Sequence, residues 1–285
     1  MPDPPSFDID AALESERQFV LTLGGFALEV SGAALVTHEK IPVPRFNFVQ
    51  EVGVGAERQT AFFERALDHY FQRALRPTFR VSDPPAPHVD RGLRRLGFRP
   101  RTEPLVLMLD GGARPPPAPV EFSVRPAADR EVDRVSAFWT HEKERPEFRA
   151  ALDIAWHHPN PAERLVPLFA LRDDEPVSAA LAYRFHDSVG IHAVTTRTEA
   201  RGQGAASALV AWTLAHHPAG DGVRYSIFSD SPRLERRLVA LGFHAARRFR
   251  EYELPADAEL ALPPPGPPEP PRWRPPRDRA PPRAD

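Results

Sequence analysis

The stretch VTTRTEARGQGAASALV, residues 194–210, runs from an apolar, β-branched segment into a loop holding Arg201, Gly202 and Gly204, then into a helix-forming segment. Ala206, Leu209, Val210, Thr213 and Leu214 recur on one face of that helix. Glycines let backbone approach a ligand closely, and the unpaired amides of a helix start carry the positive end of the helix dipole. Such a turn suits a phosphate or pyrophosphate, and Arg201 adds a directed positive charge. It is not a Walker loop, because no Lys-Ser/Thr follows the glycines, and the third glycine of GxGxxG is missing.

Outward from this loop the order is strand, helix, strand. YSIFSD (225–230) precedes a helix expected over 231–241, which closes on Leu241-Gly242-Phe243, and RRFREYEL (247–254) follows. The same ending occurs at Leu96-Gly97-Phe98, with FRVSD (79–83) before it and TEPLVLML (102–109) after it. Leu-Gly-Phe reads as a helix terminator, with glycine in the left-handed cap conformation and the flanking apolar residues closing the cap. Two such neighbourhoods point to an internal duplication of about domain size.

Upstream, FALEV and ALVTH read as strands meeting at Ser31-Gly32, FNFVQEVGV (46–54) as a third strand, and 57–75 as a helix. In the second half a strand at 120–127 leads to helices at 129–141 and 146–157. A hairpin of 166–172 and 177–185 then turns at Asp173-Asp174, and a strand follows at 189–196. GGARPPPAP (111–119) reads as a linker, and the proline-rich stretch from Pro255 as a disordered tail.

The chain has 285 residues, a net charge of −2, 41% hydrophobic residues and no cysteine. Cysteine nucleophiles, disulfides and thiolate metal sites are excluded. The charge argues against a general nucleic-acid binder, no apolar run has the length of a membrane span, and the N-terminus lacks a secretory pattern. The expectation is a cytoplasmic protein. The adjacent pairs His157-His158 and His216-His217 do not suit one metal ion on a helix, so no metal is expected.

These motifs resemble the GNAT superfamily of acyl-CoA-dependent N-acetyltransferases. Its Arg/Gln-x-x-Gly-x-Gly/Ala signature is matched by Arg201, Gly202, Gln203, Gly204, Ala205 and Ala206. The resemblance implies an α/β (α+β) fold of two tandem GNAT-like mixed sheets flanked by helices. It would comprise a degenerate copy over 1–112, the linker 113–119, the acetyltransferase domain over 120–254 and the tail 255–285. It also implies that the loop holds the coenzyme A pyrophosphate of acetyl-CoA. The strand ending at Val194-Thr195-Thr196 would pair with the pantetheine arm and lend an N–H to the oxyanion.

The first copy has only EVGVGAER (51–58) where the second has its loop. The tyrosine that many relatives carry three residues before Leu-Gly-Phe is replaced by Leu238, with Leu93 in the first copy. Tyr225, or Tyr183, is the candidate acid in its place. His192, on the strand approaching the thioester, is the candidate base. Glu199 is expected to be a solvated charge, and Asp230 to cap the following helix. The implied activity is acetyl transfer to a small-molecule amine or a protein amine, with a homodimer left open. A non-catalytic acyl-CoA-binding or scaffolding protein of the same fold is the alternative, and an aminoacyl-tRNA-dependent transferase a weaker third reading.

Overall fold

The computed structural model describes residues 9–110, 121–139, 146–157, 163–216 and 224–255. The expected linker at 113–119 lies outside them, as does the expected tail beyond Pro255.

The first half contains α1 (Ile9–Thr22), β1 (Phe26–Val30), β2 (Ala33–Thr37), β3 (Phe48–Gln50), α2 (Gln59–Phe71), β4 (Thr78–Ser82), α3 (Pro87–Arg95), β5 (Arg99–Thr102) and β6 (Leu105–Asp110). The second contains β7 (Ser123–Pro126), α4 (Val132–Ala137), α5 (Pro146–Trp156), β8 (Glu163–Arg172), β9 (Glu175–Phe185), β10 (Ser188–Thr196), α6 (Ala205–His216), β11 (Arg224–Ser229), α7 (Pro232–Ala240) and β12 (His244–Glu253). The third expected strand shrinks to three residues, because Glu51 turns to φ 55° and leaves the ladder.

Both Leu-Gly-Phe endings are the caps their residues suggested. Gly97 and Gly242 have φ of 86° and 94°. Phe98 N donates to Leu93 O and Phe243 N to Leu238 O, each at 3.0 Å. Gly97 and Gly242 donate to Arg94 O and Val239 O, also at 3.0 Å each. This is the Schellman arrangement, and both phenylalanines are buried.

The two sets of strands do not form separate sheets. They join into one twelve-stranded mixed sheet ordered β1-β2-β3-β4-β12-β6-β11-β10-β9-β8-β7, with β5 pairing β12. The join is made by exchange. β6 pairs antiparallel with β11 of the second half, and β12 pairs antiparallel with β4 of the first. The segments 99–110 and 244–253 also pair with each other, from Glu253 opposite Arg99 to His244 opposite Met108. Each terminal segment thus runs beside its twin and against a strand of the opposite half.

The helix α1 has no counterpart in the sequence reading. It crosses the join, where Phe19 stacks on the His192 ring with centroids 4.2 Å apart. Below it, Arg80 on β4 is 4% exposed and donates to Glu16 on α1, and to Glu251 on β12 at 2.9 Å. Thr102 Oγ1 donates to the second oxygen of Glu251 at 2.7 Å, and the Arg80 guanidinium lies over the Phe48 ring at 4.5 Å. One buried cation therefore ties α1, the first-half sheet and the strand donated by the second half.

Candidate active site

The parallel pairing of β10 and β11 runs from Ser188 opposite Arg224 to Ile191 opposite Ile227 and then stops. Past that point β10 continues to Thr196 and β11 to Ser229, so the two strands splay. On its other edge β10 pairs with β9, but the register breaks between His192 and Thr195. Ala193 sits there at φ 53°, and Trp139 Nε1 donates to its carbonyl. This bulge leaves Ala193 and Val194 outside the regular ladder at the mouth of the splay.

A cavity of about 380 Å³ lies on the α6 side of the mouth, lined by Val194, Thr195, Thr196, Arg201, Gly202, Gly204, Ala205 and Ala206. Gly202 and Gly204 have φ of 82° and 104°, which carries the chain from the short helical turn 198–200 into α6. A Cβ on Gly202 would lie 2.2 Å from the Arg233 guanidinium, so only glycine leaves that space open. Arg201 Nε donates to Thr196 O at 3.1 Å, which fixes the side chain and leaves the terminal guanidinium nitrogens for an anion. Gln203 turns away from the cavity. Its Nε2 donates to Glu199 O at 2.8 Å, and Arg172 donates to its side-chain oxygen.

Two further cations, Arg233 and Arg237 on α7, line the cavity. Their i, i+4 spacing puts both on the face toward the loop, beyond what the sequence reading identified. α7 is capped by Ser231, whose Oγ accepts from Leu234 N at 3.4 Å. Asp230, expected to be that cap, is instead exposed one residue earlier. The free amides of the α6 N-terminus, three arginines and two left-handed glycines make a site whose chemistry fits a diphosphate.

The first-half counterpart cannot do the same. A Cβ on Gly55 would meet the Glu57 carboxylate at 2.6 Å. That carboxylate is held below its ordinary range chiefly by the residue's own backbone N–H. An exposed carboxylate, paired with Arg58 at 3.4 Å, stands where the second half has its arginine.

Residues 118–229 match the model of the acetyltransferase (GNAT) domain. This match covers about two fifths of the chain. Over a larger span, the chain is similar to the solved structure of a GCN5-related N-acetyltransferase from Kribbella flavida, with a TM-score of 0.64 and 16% identity over 86% of this chain and 96% of that one. A GCN5-related N-acetyltransferase from Sphaerobacter thermophilus gives 0.55 and 16% over 78% and 75%. A functionally unknown conserved protein from Staphylococcus epidermidis gives 0.61 and 11% over 81% and 94%. At these identities the likeness is one of GNAT fold, and it takes in both halves. No curated protein matches.

Val194–Thr196 and the loop residues other than Gln203 line one cavity, and the acid and base candidates lie away from it. Tyr225 is the second paired residue of β11, near the end away from the splay, and its hydroxyl donates to Leu214 O at 3.5 Å in the α6 core. Tyr183 shares a 2.9 Å hydrogen bond with Thr22 beneath α1. Leu238 is wholly buried, so nothing at the usual tyrosine position reaches the cavity. We expect Tyr225→Phe to leave any turnover within about twofold of wild type, measured as thiol release, since a general acid would be worth ~10²-fold or more.

His192 cannot be the base in this conformation. It is buried on the opposite sheet face, its ring lies over Gly190, and its Nε2 has no hydrogen-bond partner. Burial, with a smaller contribution from Arg45, pushes its pKa down to about 3. The unfolded histidine takes up a proton near pH 6.5, whereas the native one refuses it until about pH 3. Histidine therefore stabilises the fold fully above pH 6.5, and the contribution is lost as pH falls between those values. The limiting slope is ~1.4 kcal/mol per pH unit. In urea titrations from pH 7.5 to 4.5, His192→Leu should lose stability less steeply than wild type.

Among the described residues there is no cluster of three metal-ligating side chains, and no helix is long and apolar enough to cross a membrane. His216 stacks on Trp212 at 4.0 Å, and His157 Nδ1 lies 2.9 Å from Asp153 O. His158 and His217 lie outside the described residues.

Proposed function

We propose that the protein is an acetyl-CoA-dependent N-acetyltransferase acting on a primary amine. The observation that carries this reading is the glycine–arginine cradle at the start of α6, set beside the splay of β10 and β11. When bound, the coenzyme supplies an acyl thioester: amine attack on its carbonyl carbon forms C–N as C–S breaks, the electron pair leaves on sulfur, and an amine proton passes to solvent.

The chain's own residues bind and orient. The α6 amides with Arg201, Arg233 and Arg237 hold the diphosphate. The free edge of Val194–Thr196 takes up backbone-like amides of the arm, and a bulge N–H donates to the carbonyl oxygen as it gains charge. All four tyrosines (Tyr70, Tyr183, Tyr225 and Tyr252) are buried, and none lines the cradle. The leaving thiolate, with a parent pKa of ~8.5, is a tolerable leaving group without a tyrosine acid.

Incubation with acetyl-CoA and a panel of primary amines tests this. Amine-dependent thiol release and an acetylated product support it. Coenzyme binding with no release from any amine favours the alternative, a non-catalytic acyl-CoA-binding protein, for which the buried Leu238 is the supporting observation. The acceptor is a small-molecule or protein amine, and a cytoplasmic location fits such chemistry.

A further inference from the structure

A second cavity, of about 310 Å³, lies between α1, the strands β4, β5 and β12, and the end of β11. The two cavities are divided by one step of the chain at the end of β11, with Asp230 lining this one and Ser231 the other. The ion pairs of its floor leave one negative charge in excess. Arg80 is paired with Glu16 and Glu251, and Arg101 with Glu253.

Two charged groups lining it, and one buried hydroxyl behind its wall, remain unengaged. Arg45, on the loop after β2, lines the cavity, and no hydrogen bond or ion pair engages it among the described residues. Its field nonetheless reaches both Glu251 and His192. Asp230 is likewise unpaired, having yielded the helix cap to Ser231. Thr78 is 2% exposed, and its buried Oγ1 has no hydrogen-bond partner. A buried hydroxyl without a partner costs ~1–3 kcal/mol unless something supplies one. Phe228 adds an apolar wall.

One unpaired cation, one unpaired anion and one unsatisfied hydroxyl around a small cavity complement a zwitterion. Resting on the acetyl-transfer reading, we propose that this cavity is the acceptor pocket and that it takes a small primary amine bearing a carboxylate. Asp230 faces the ammonium group and Arg45 the carboxylate. Arg45 and Thr78 belong to the half that lacks the arginine loop. That half supplies the specificity for the acceptor.

The test uses the full chain with coenzyme A present and measures binding by calorimetry. The probes are glycine, L-alanine and 4-aminobutyrate, each against its carboxamide and against the amine lacking the carboxylate. At least one zwitterion should bind ~10-fold or more tighter than both of its neutralised partners. Arg45→Gln should abolish that preference, and Asp230→Asn should weaken the zwitterion, with coenzyme affinity unchanged in both. Equal binding of the carboxamide, no binding of any probe, or a preference that survives Arg45→Gln would overturn the proposal. Thiol release measured on the same probes separates the two readings. Preferential binding without release removes the acetyl-transfer reading and leaves the pocket, whereas release without carboxylate preference does the reverse.

Discussion

Arg80→Ala is expected to lower stability by ~3–5 kcal/mol, the cost of leaving buried carboxylates without their cation. Glu16 and Glu251 would both be stranded, because Arg80 is the group that neutralises them at 4% exposure. Burial alone would drive the Arg80 proton off, but Glu16 and then Glu251 outweigh it and hold the charge in place. For a chain of this size the loss corresponds to ~10 °C in Tm, read by calorimetry or circular dichroism. The triple change Arg80→Met, Glu16→Gln, Glu251→Gln separates charge from shape, since it removes the cation and both anions together. It should recover most of the loss. If the triple variant is as unstable as Arg80→Ala, the ion network is not the source.

The second large effect is on the coenzyme. Arg201→Ala should weaken coenzyme A binding ~10- to 100-fold, the equivalent of one charge-assisted contact of ~1.5–3 kcal/mol. Tm without ligand should not move, because Arg201 is exposed and its one internal bond, to Thr196 O, lies at the surface. Arg233→Ala, tested by the same calorimetric titration, should act in the same direction. Dephosphorylated pantetheine is the control, and its affinity should be indifferent to both changes. Unaltered coenzyme affinity in Arg201→Ala would remove the phosphate assignment.

Much of the fold was legible because its signals are local. The glycine of each Leu-Gly-Phe cap, the loop glycines at 202 and 204, and the Asp173-Asp174 turn with φ of 51° and 64° all declare themselves within a few residues. α1 did not. Its buried face is Ala12, Leu13, Ser15, Glu16, Phe19 and Val20, and the serine and glutamate interrupt the apolar pattern that periodicity seeks. Glu16 is buried only because Arg80, far away in sequence, meets it.

The site divided along the same line. The cradle is contiguous in sequence and was read from it. Tyr225 and His192 were misplaced because chemical suitability says nothing about which sheet face a strand residue occupies. Tyr225 shares a face with Ile227, under α6, and His192 lies on the other face against Phe19. Arg45, Thr78 and Asp230 come from three separate segments and meet only in the folded chain.

The exchange of β6 and β12 bears on how the protein comes into being. A nascent chain that has emerged only as far as Asp110 holds β4 without its neighbour, because that neighbour is β12, the last strand among the described residues. The first half cannot close during translation, and its open edge must wait for residues 244–253 to leave the ribosome. Pairings of such wide sequence separation raise contact order and slow folding. Such a chain completes both halves together, after synthesis, in a single late step.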